Sequence, residues 1–249
     1  MTLQLSVSPD FSPDHIAGWY VFNTWLQRRL GERIHLELFE NFEAQRAAIE
    51  ADRIDLIYAN PYDAAMLVRQ KGYVALAAPR NLPDEVVIAV PADSAVVRVE
   101  DLRAGSRLAV TSDPVVNLLG MITLGSADLS AANTAQQMVG SYVLVAKQLV
   151  QGKADAGFFL ARAYNGLSPV IRRQLRALVT SEIGDVRHVL LAGPRAAHLH
   201  APLRELLPTM DAPGSDGIAV LQALGLEGFM SQDAEATEFM IDLMDTLKV

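Results

Sequence analysis

Four short stretches pair residues that open helices with residues able to hold an anion: Ser8-Pro9 through Ser12-Pro13, Asn60-Pro61, Ser112-Asp113-Pro114 and Gly140-Ser141-Tyr142. Three of them set proline beside a cap-forming Ser, Asn or Asp, which starts a helix cleanly and wastes no backbone donor. First-turn N–H groups lack intrahelical partners and carry partial positive charge. Each such start can therefore favour an oxyanion by about 0.3 to 1 kcal/mol when exposed. One such start is an ordinary helix cap; four at successive strand ends suggest a site that attracts anions through helix ends, without lysine or arginine. Aromatic residues fall at the same places: Phe11, Phe42, Tyr58, Tyr62, Tyr142, Phe158, Phe159 and Tyr164.

The elements that must position these residues follow from periodicity. Short β-rich runs alternate with longer segments of helical period: LQLSVS and HIAGWYVFNTWLQRRLG, RIHLELFE and NFEAQRAAIEAD, IDLIYAN and PYDAAMLVRQKG, then YVALAAP. A second series holds SRLAVTS, a helix from about 114, TAQQMVG, YVLVAKQLVQGK and DAGFFLA. Strands alternating with amphipathic helices predict parallel sheets covered on both faces, with ligands held beyond the carboxyl ends of the strands. Between the series lies EVVIAVPADSAVVRVEDLRAG, a strand followed by a short helix at Val99–Leu102. The run RHVLLAGP at 187–194 is expected to return the chain to the first lobe, with only helical material after it. Two extended connections would form a hinge, a design for closing around a small ligand.

Composition removes several classes of function. The 249 residues carry a net charge of -8 and no basic run longer than RRQLR, which argues against nucleic acid as a partner. Cysteine is absent, excluding disulfides, thiolate metal sites and a cysteine nucleophile. No window approaches 18 uninterrupted apolar residues, so no membrane insertion is expected. The N-terminus lacks a basic segment followed by an apolar one; the expected location is periplasmic if a leader was trimmed and cytoplasmic if the chain is complete as written. His198-Leu199-His200 has strand spacing in a loop and no third ligand, and no phosphate-binding glycine motif occurs, so neither a metal nor a cofactor is expected. Glu182, Asp185, Arg187 and His188 read as a solvated loop or hinge rim, and no catalytic residue is expected.

Several segments carry a resemblance: DLIYANPYDAAM, IAVPADSAVVRVEDLRAGSRLAVTSDP, GKADAGF and GIAVLQALGLEGF. Across nearly its whole length the chain resembles the substrate-binding proteins of phosphonate and phosphite ABC transporters, the PhnD-like branch of the type II periplasmic binding protein fold. Asn60 with Tyr58, and Asp113-Pro114, are the more particular matches. The resemblance implies an α/β protein of two lobes, each a mixed, mostly parallel sheet with helices on both faces. The expected division is 1–88 plus 190–249 for lobe 1 and 89–189 for lobe 2, with a double-strand hinge near 88–92 and 187–192.

The resemblance also implies that Tyr58 and Phe42 face the ligand from the first lobe, Phe42 without a hydroxyl. The departures bear on the ligand. Phosphonate binders follow the Asp-Pro with Ser and Thr, whereas Val115, Val116 and Asn117 stand here, leaving Thr111, Ser112 and the Asn117 amide as substitutes. Ser141, beside Tyr142, occupies the place of a family histidine. Phe158 to Arg162 replace a region that supplies a carboxylate to aminophosphonates, while Asp185, with His188 close by, matches a second family carboxylate. The expected ligand-binding set is Phe42, Tyr58, Asn60, Tyr62, Thr111, Ser112, Asn117, Ser141, Tyr142 and Asp185. The expected function is that of a monomeric, non-enzymatic solute-binding protein that takes a small oxyanion or related ligand in an interlobe cleft. An ABC permease or a membrane sensor would be its partner. The alternatives are a cytoplasmic enzyme recruited from the same fold, of the menaquinone-pathway type, and a degenerate binding protein without ligand.

Overall fold

The structure, a computed structural model, describes residues 2–11 and 13–247. Its strands in chain order are β1 Leu3–Val7, β2 Ile34–Leu38, β3 Leu56–Ala59, β4 Val74–Pro79, β5 Val86–Pro91, β6 Arg107–Val110, β7 Ala135–Met138, β8 Ala156–Leu160, β9 Leu175–Thr180, β10 Val189–Ala192 and β11 Phe229–Ser231. The α-helices are α1 Ile16–Leu30, α2 Phe42–Glu50, α3 Pro61–Lys71, α4 Pro114–Gly125, α5 Tyr142–Val150, α6 Ala161–Asn165, α7 Pro169–Arg172, α8 His200–Leu206, α9 Gly217–Leu224 and α10 Ala234–Leu247. The chain forms two compact units, one up to Pro83 and from Arg187 to Asp245, the other from Asp84 to Val186.

The first unit holds a six-stranded sheet in the order β11-β4-β10-β3-β1-β2. Strands β1, β2, β3 and β4 point the same way, while β10 and β11 run against them. Alternation across the pleat sorts the side chains of β3 into two cores. Leu56 and Tyr58 face the core shared with Trp19, Phe22 and Leu26 of α1, and Ile57 and Ala59 face the one shared with Ile49 of α2, Leu67 of α3 and Met240 of α10. All four residues of β3 and of β10 are buried, as central strands covered on both faces require. Helix α1 ends where Gly31 takes φ 69° and returns its N–H to the Gln27 carbonyl, a left-handed stop that glycine adopts without a Cβ clash.

The second unit holds a five-stranded sheet in the order β7-β6-β8-β5-β9, with β5 antiparallel to both its neighbours. Its central strand β8 is wholly buried. Phe159 packs with Val145 and Leu149 of α5, whereas Phe158 lies so close to α4 that a Cβ on Gly120 would stand 2.5 Å from its ring. Each buried phenylalanine contributes about 1.5 to 3 kcal/mol through burial alone. These two rings are core, not site, which corrects their grouping with the strand-end aromatics. Val99–Asp101 is a single 3-10 turn. The expectation of only helices after residue 194 fails at β11, which pairs with β4 at the sheet edge. The chain passes between units at 83/84 and 186/187, where the Asp84 N–H donates to the Val186 carbonyl at 2.7 Å.

Candidate functional site

In the first unit β1, β2 and β3 end on one edge of the sheet, and the chain then enters α1, α2 and α3. Asn60 is fully buried and caps α3, its Oδ1 accepting the Asp63 N–H at 2.9 Å. Its amide donates to Asp63 Oδ2 at 3.2 Å and to Ser8 Oγ at 3.4 Å, and the Ser8 N–H donates to the Tyr58 carbonyl at 2.8 Å. The strand ends of β1 and β3 are thereby fixed to each other. Tyr58 is itself buried between two rings, with Trp19 at 4.9 Å and His188 stacked at 5.1 Å and 21°.

Helices α2 and α3 cover the same face of the sheet, so their first turns lie side by side. Arg46 of α2 donates through Nε to Asp63 Oδ1 at 2.6 Å. Its guanidinium lies 5.5 Å from the Phe42 ring centre and 5.3 Å from that of Tyr62. The side chain is 34% exposed, yet its Nη2 is buried without a hydrogen-bond partner. A buried donor left unpaired costs about 1 to 3 kcal/mol, more when charged. The edge therefore contains an arginine, against the expectation of an anion site built from helix ends alone.

His188 is not part of a solvated rim. It is buried, and its Nε2 lies 3.0 Å from the equally buried carboxylate of Asp10. Of the Ser8–Pro13 stretch, Ser12 lies outside the described residues, and Phe11 is half-buried against the α1 core.

In the second unit the corresponding edge gathers Thr111, Asn117 and Tyr142 near Asp113, of which Tyr142 reaches its carboxylate. Asp113 is buried; its Oδ1 accepts the N–H groups of Val115 and Val116 at 3.0 and 3.1 Å, and its Oδ2 accepts the Tyr142 hydroxyl at 2.7 Å. The Thr111 hydroxyl accepts the Asp113 N–H at 3.3 Å, and the Asn117 amide donates to the Thr111 carbonyl at 2.7 Å, leaving a buried Asn117 Oδ1 without partner. Asn117 therefore has a free acceptor beside an amide that already donates once to the backbone. The first-turn amides of α4, expected to be open to an anion, already hold the protein's own carboxylate.

Ser141 caps α5 through the Leu144 N–H at 3.3 Å, and Tyr142 stacks at 6.2 Å on Phe159. Ser112 and Asp185 are exposed, and among the described residues neither joins the cluster. Arg162 meets the buried Asp84 at 2.6 Å. Burial raises the Tyr164 hydroxyl above the usual phenol range. His198 reaches Glu32 at 3.1 Å while His200 begins α8, so the two histidines serve different contacts. Among the described residues no three metal-binding side chains come together.

The sequence model of the family described as ABC transporter, phosphonate, periplasmic substrate-binding protein matches residues 5–237. The chain belongs to this family. No curated protein matches it in sequence. PhnD1 from Prochlorococcus marinus, solved with methylphosphonate, is 13% identical at TM-score 0.84, covering 99% of this chain and 98% of its own. XAC2383 from Xanthomonas citri, solved with ATP, is 19% identical at TM-score 0.79, covering 99% and 97%. A binding protein component of an ABC phosphonate transporter from Pseudomonas aeruginosa is 14% identical at TM-score 0.79, covering 99% and 85%. This PhnD-like binding protein thus has the two-unit α/β fold of periplasmic binding proteins. Membership of the family implies a small-molecule ligand and a permease partner, and among the described residues no helix is long and apolar enough to cross a membrane.

Sequence reasoning missed Arg46, Asp63 and Asp10. A signal existed for the first two: an arginine one turn after the aromatic that opens α2, and an acid three residues after the Asn60 cap of α3.

Proposed function

We propose that this binding protein is a non-enzymatic receptor for a small oxyanion of the phosphonate or phosphate class, which it presents to an ABC permease. The observation that carries the reading is the match to the phosphonate-binding family over residues 5–237. The polar residues at the carboxyl ends of β1 and β3, where ligands of open α/β sheets bind, support it. The residues proposed to serve ligand binding are Phe42, Tyr58, Asn60 and Tyr62 in the first unit, and Thr111, Ser112, Asn117, Ser141, Tyr142 and Asp185 in the second. The two valines after Asp113-Pro114 are buried, so they supply neither a donor nor a contact surface to a ligand.

Native mass spectrometry of purified protein, followed by a thermal-shift screen of methylphosphonate, phosphate, phosphite, sulfonates and carboxylates, tests this. The expected result is stabilisation by phosphonate or phosphate, because a ligand present at a hundred times its Kd adds about 2.7 kcal/mol to the folded state. Stabilisation by none of them overturns the proposal.

A further inference from the structure

We infer that Arg46 is the residue through which the protein reads the charge of its ligand, an oxyanion of the phosphonate or phosphate class whose oxygens take the guanidinium edge that Asp63 leaves open. The inference deepens the proposed function and rests on it. Asp63 engages Nε at 2.6 Å and is itself held by the Asn60 amide and by its place in the capped first turn of α3. The guanidinium is therefore fixed from behind. Its Nη2 is shielded from water without a protein acceptor, while Phe42 and Tyr62 flank the group at 5.5 and 5.3 Å. A planar fork fixed at one nitrogen and unpaired at another is suited to a tetrahedral oxyanion, which accepts two parallel N–H bonds. Aromatic neighbours lower the local dielectric and strengthen that attraction.

The second unit supports the same assignment by what it withholds. At the start of α4 the first-turn amides are already taken by Asp113, which accepts from Val115, Val116 and Tyr142.

The test is titration calorimetry with methylphosphonate and with inorganic phosphate, at low and physiological salt. It compares wild type, Arg46→Lys and the double variant Arg46→Gln/Asp63→Asn. The double variant replaces an ion pair with a neutral amide pair, so its ligand-free Tm is expected to stay close to wild type. Its affinity is expected to fall at least about thirtyfold, the loss typical of removing one member of a buried charged contact. Its salt dependence should flatten. Arg46→Lys keeps the charge but not the fork, and an affinity between the two is expected. Wild-type affinity in the double variant overturns the inference and leaves the proposed function standing. If the double variant does not fold, Arg46→Lys decides: reduced affinity at unchanged Tm supports the inference, and unchanged affinity overturns it. A wild-type protein that binds neither probe overturns the proposed function and this inference with it.

Discussion

At the carboxyl edge of the first sheet an arginine and a histidine are each paired with an aspartate beneath aromatic rings, whereas at that of the second one aspartate collects two backbone amides and a phenol. The opposite edges do not differ in this way. Asp55, just before β3, accepts the Gln4 N–H at 2.8 Å and pairs with Arg195. Asp155, just before β8, accepts the Arg107 N–H at 2.8 Å and pairs with Arg107. The same carboxylate brace ties the first residues of adjacent strands in both units. The framework edge is repeated within one chain, and the variation is confined to the edge where open α/β sheets take their ligands. What differs is who supplies the charge: side-chain partners in the first unit, the helix end itself in the second.

The most damaging way to break this comparison is at His188. His188→Ala removes the ring stacked on Tyr58 and the contact its Nε2 makes with the buried Asp10 carboxylate, so stability should fall by about 3 to 5 kcal/mol in urea denaturation. A loss below about 1 kcal/mol would mean that the buried pair does not support the first edge. In the second unit, Asp113→Ala removes the cap of α4 and its hydrogen bond with the Tyr142 hydroxyl, at an expected cost of about 1 to 2 kcal/mol. Tyr142→Phe should cost about 1 kcal/mol, and the double variant less than the sum, since both act through one carboxylate. Strict additivity in a double-mutant cycle would show that the two helix starts are not coupled.

The amino edges supply a finer contrast, read with pH. Tyr73, against Ile54 and near Asp55, has its hydroxyl pushed up to about 12 by burial. An unfolded tyrosine releases its proton near the ordinary phenol value of about 10, before the folded one does. Stability should therefore decline as pH rises from about 10 to about 12, and Tyr73→Phe should remove that part of the slope in alkaline calorimetry. The smallest effect belongs to Asp155, whose carboxyl is held below the usual range first by its hydrogen bond to the Arg107 side chain. The stability it adds is present above the ordinary carboxylate range and lost as pH falls through its lowered value. Because the pair is partly exposed, added salt should erase most of it.

Much of this architecture was legible in the chain. Full-length periodicity located every α-helix longer than five residues and the strands at both carboxyl edges, because LIYA, AGFFL and VLLA are buried on both faces and so lack polar interruptions, while the 3-10 turns of Pro194–Leu199 read as a loop. The strands β9 and β11 were not legible: LRALVT follows a basic run and is half-exposed at an edge, and FMS is too short to show alternation. At the site, local signals succeeded and long-range ones failed. Asn60, Asp113 and Ser141 cap their helices as their neighbouring residues predict. That Asp113 also holds Tyr142, 29 positions away, that Asp10 finds His188 across 178 residues, and that Arg46 meets Asp63 are consequences of strand order. No window of sequence contains that order.

The aromatic pairing of Trp19 with Tyr58 has a practical consequence. The chain has two tryptophans, Trp19 and Trp25, and both belong to α1 in the first unit. Emission excited at the red edge of indole absorption therefore reports on the first unit by itself, and Trp19 sits one ring away from the strand end that carries Asn60. Tyrosines occur in both units and give no such separation. Without any label, a ligand arriving beside Tyr58 would change tryptophan emission, whereas a melting event confined to the second unit would leave it unchanged.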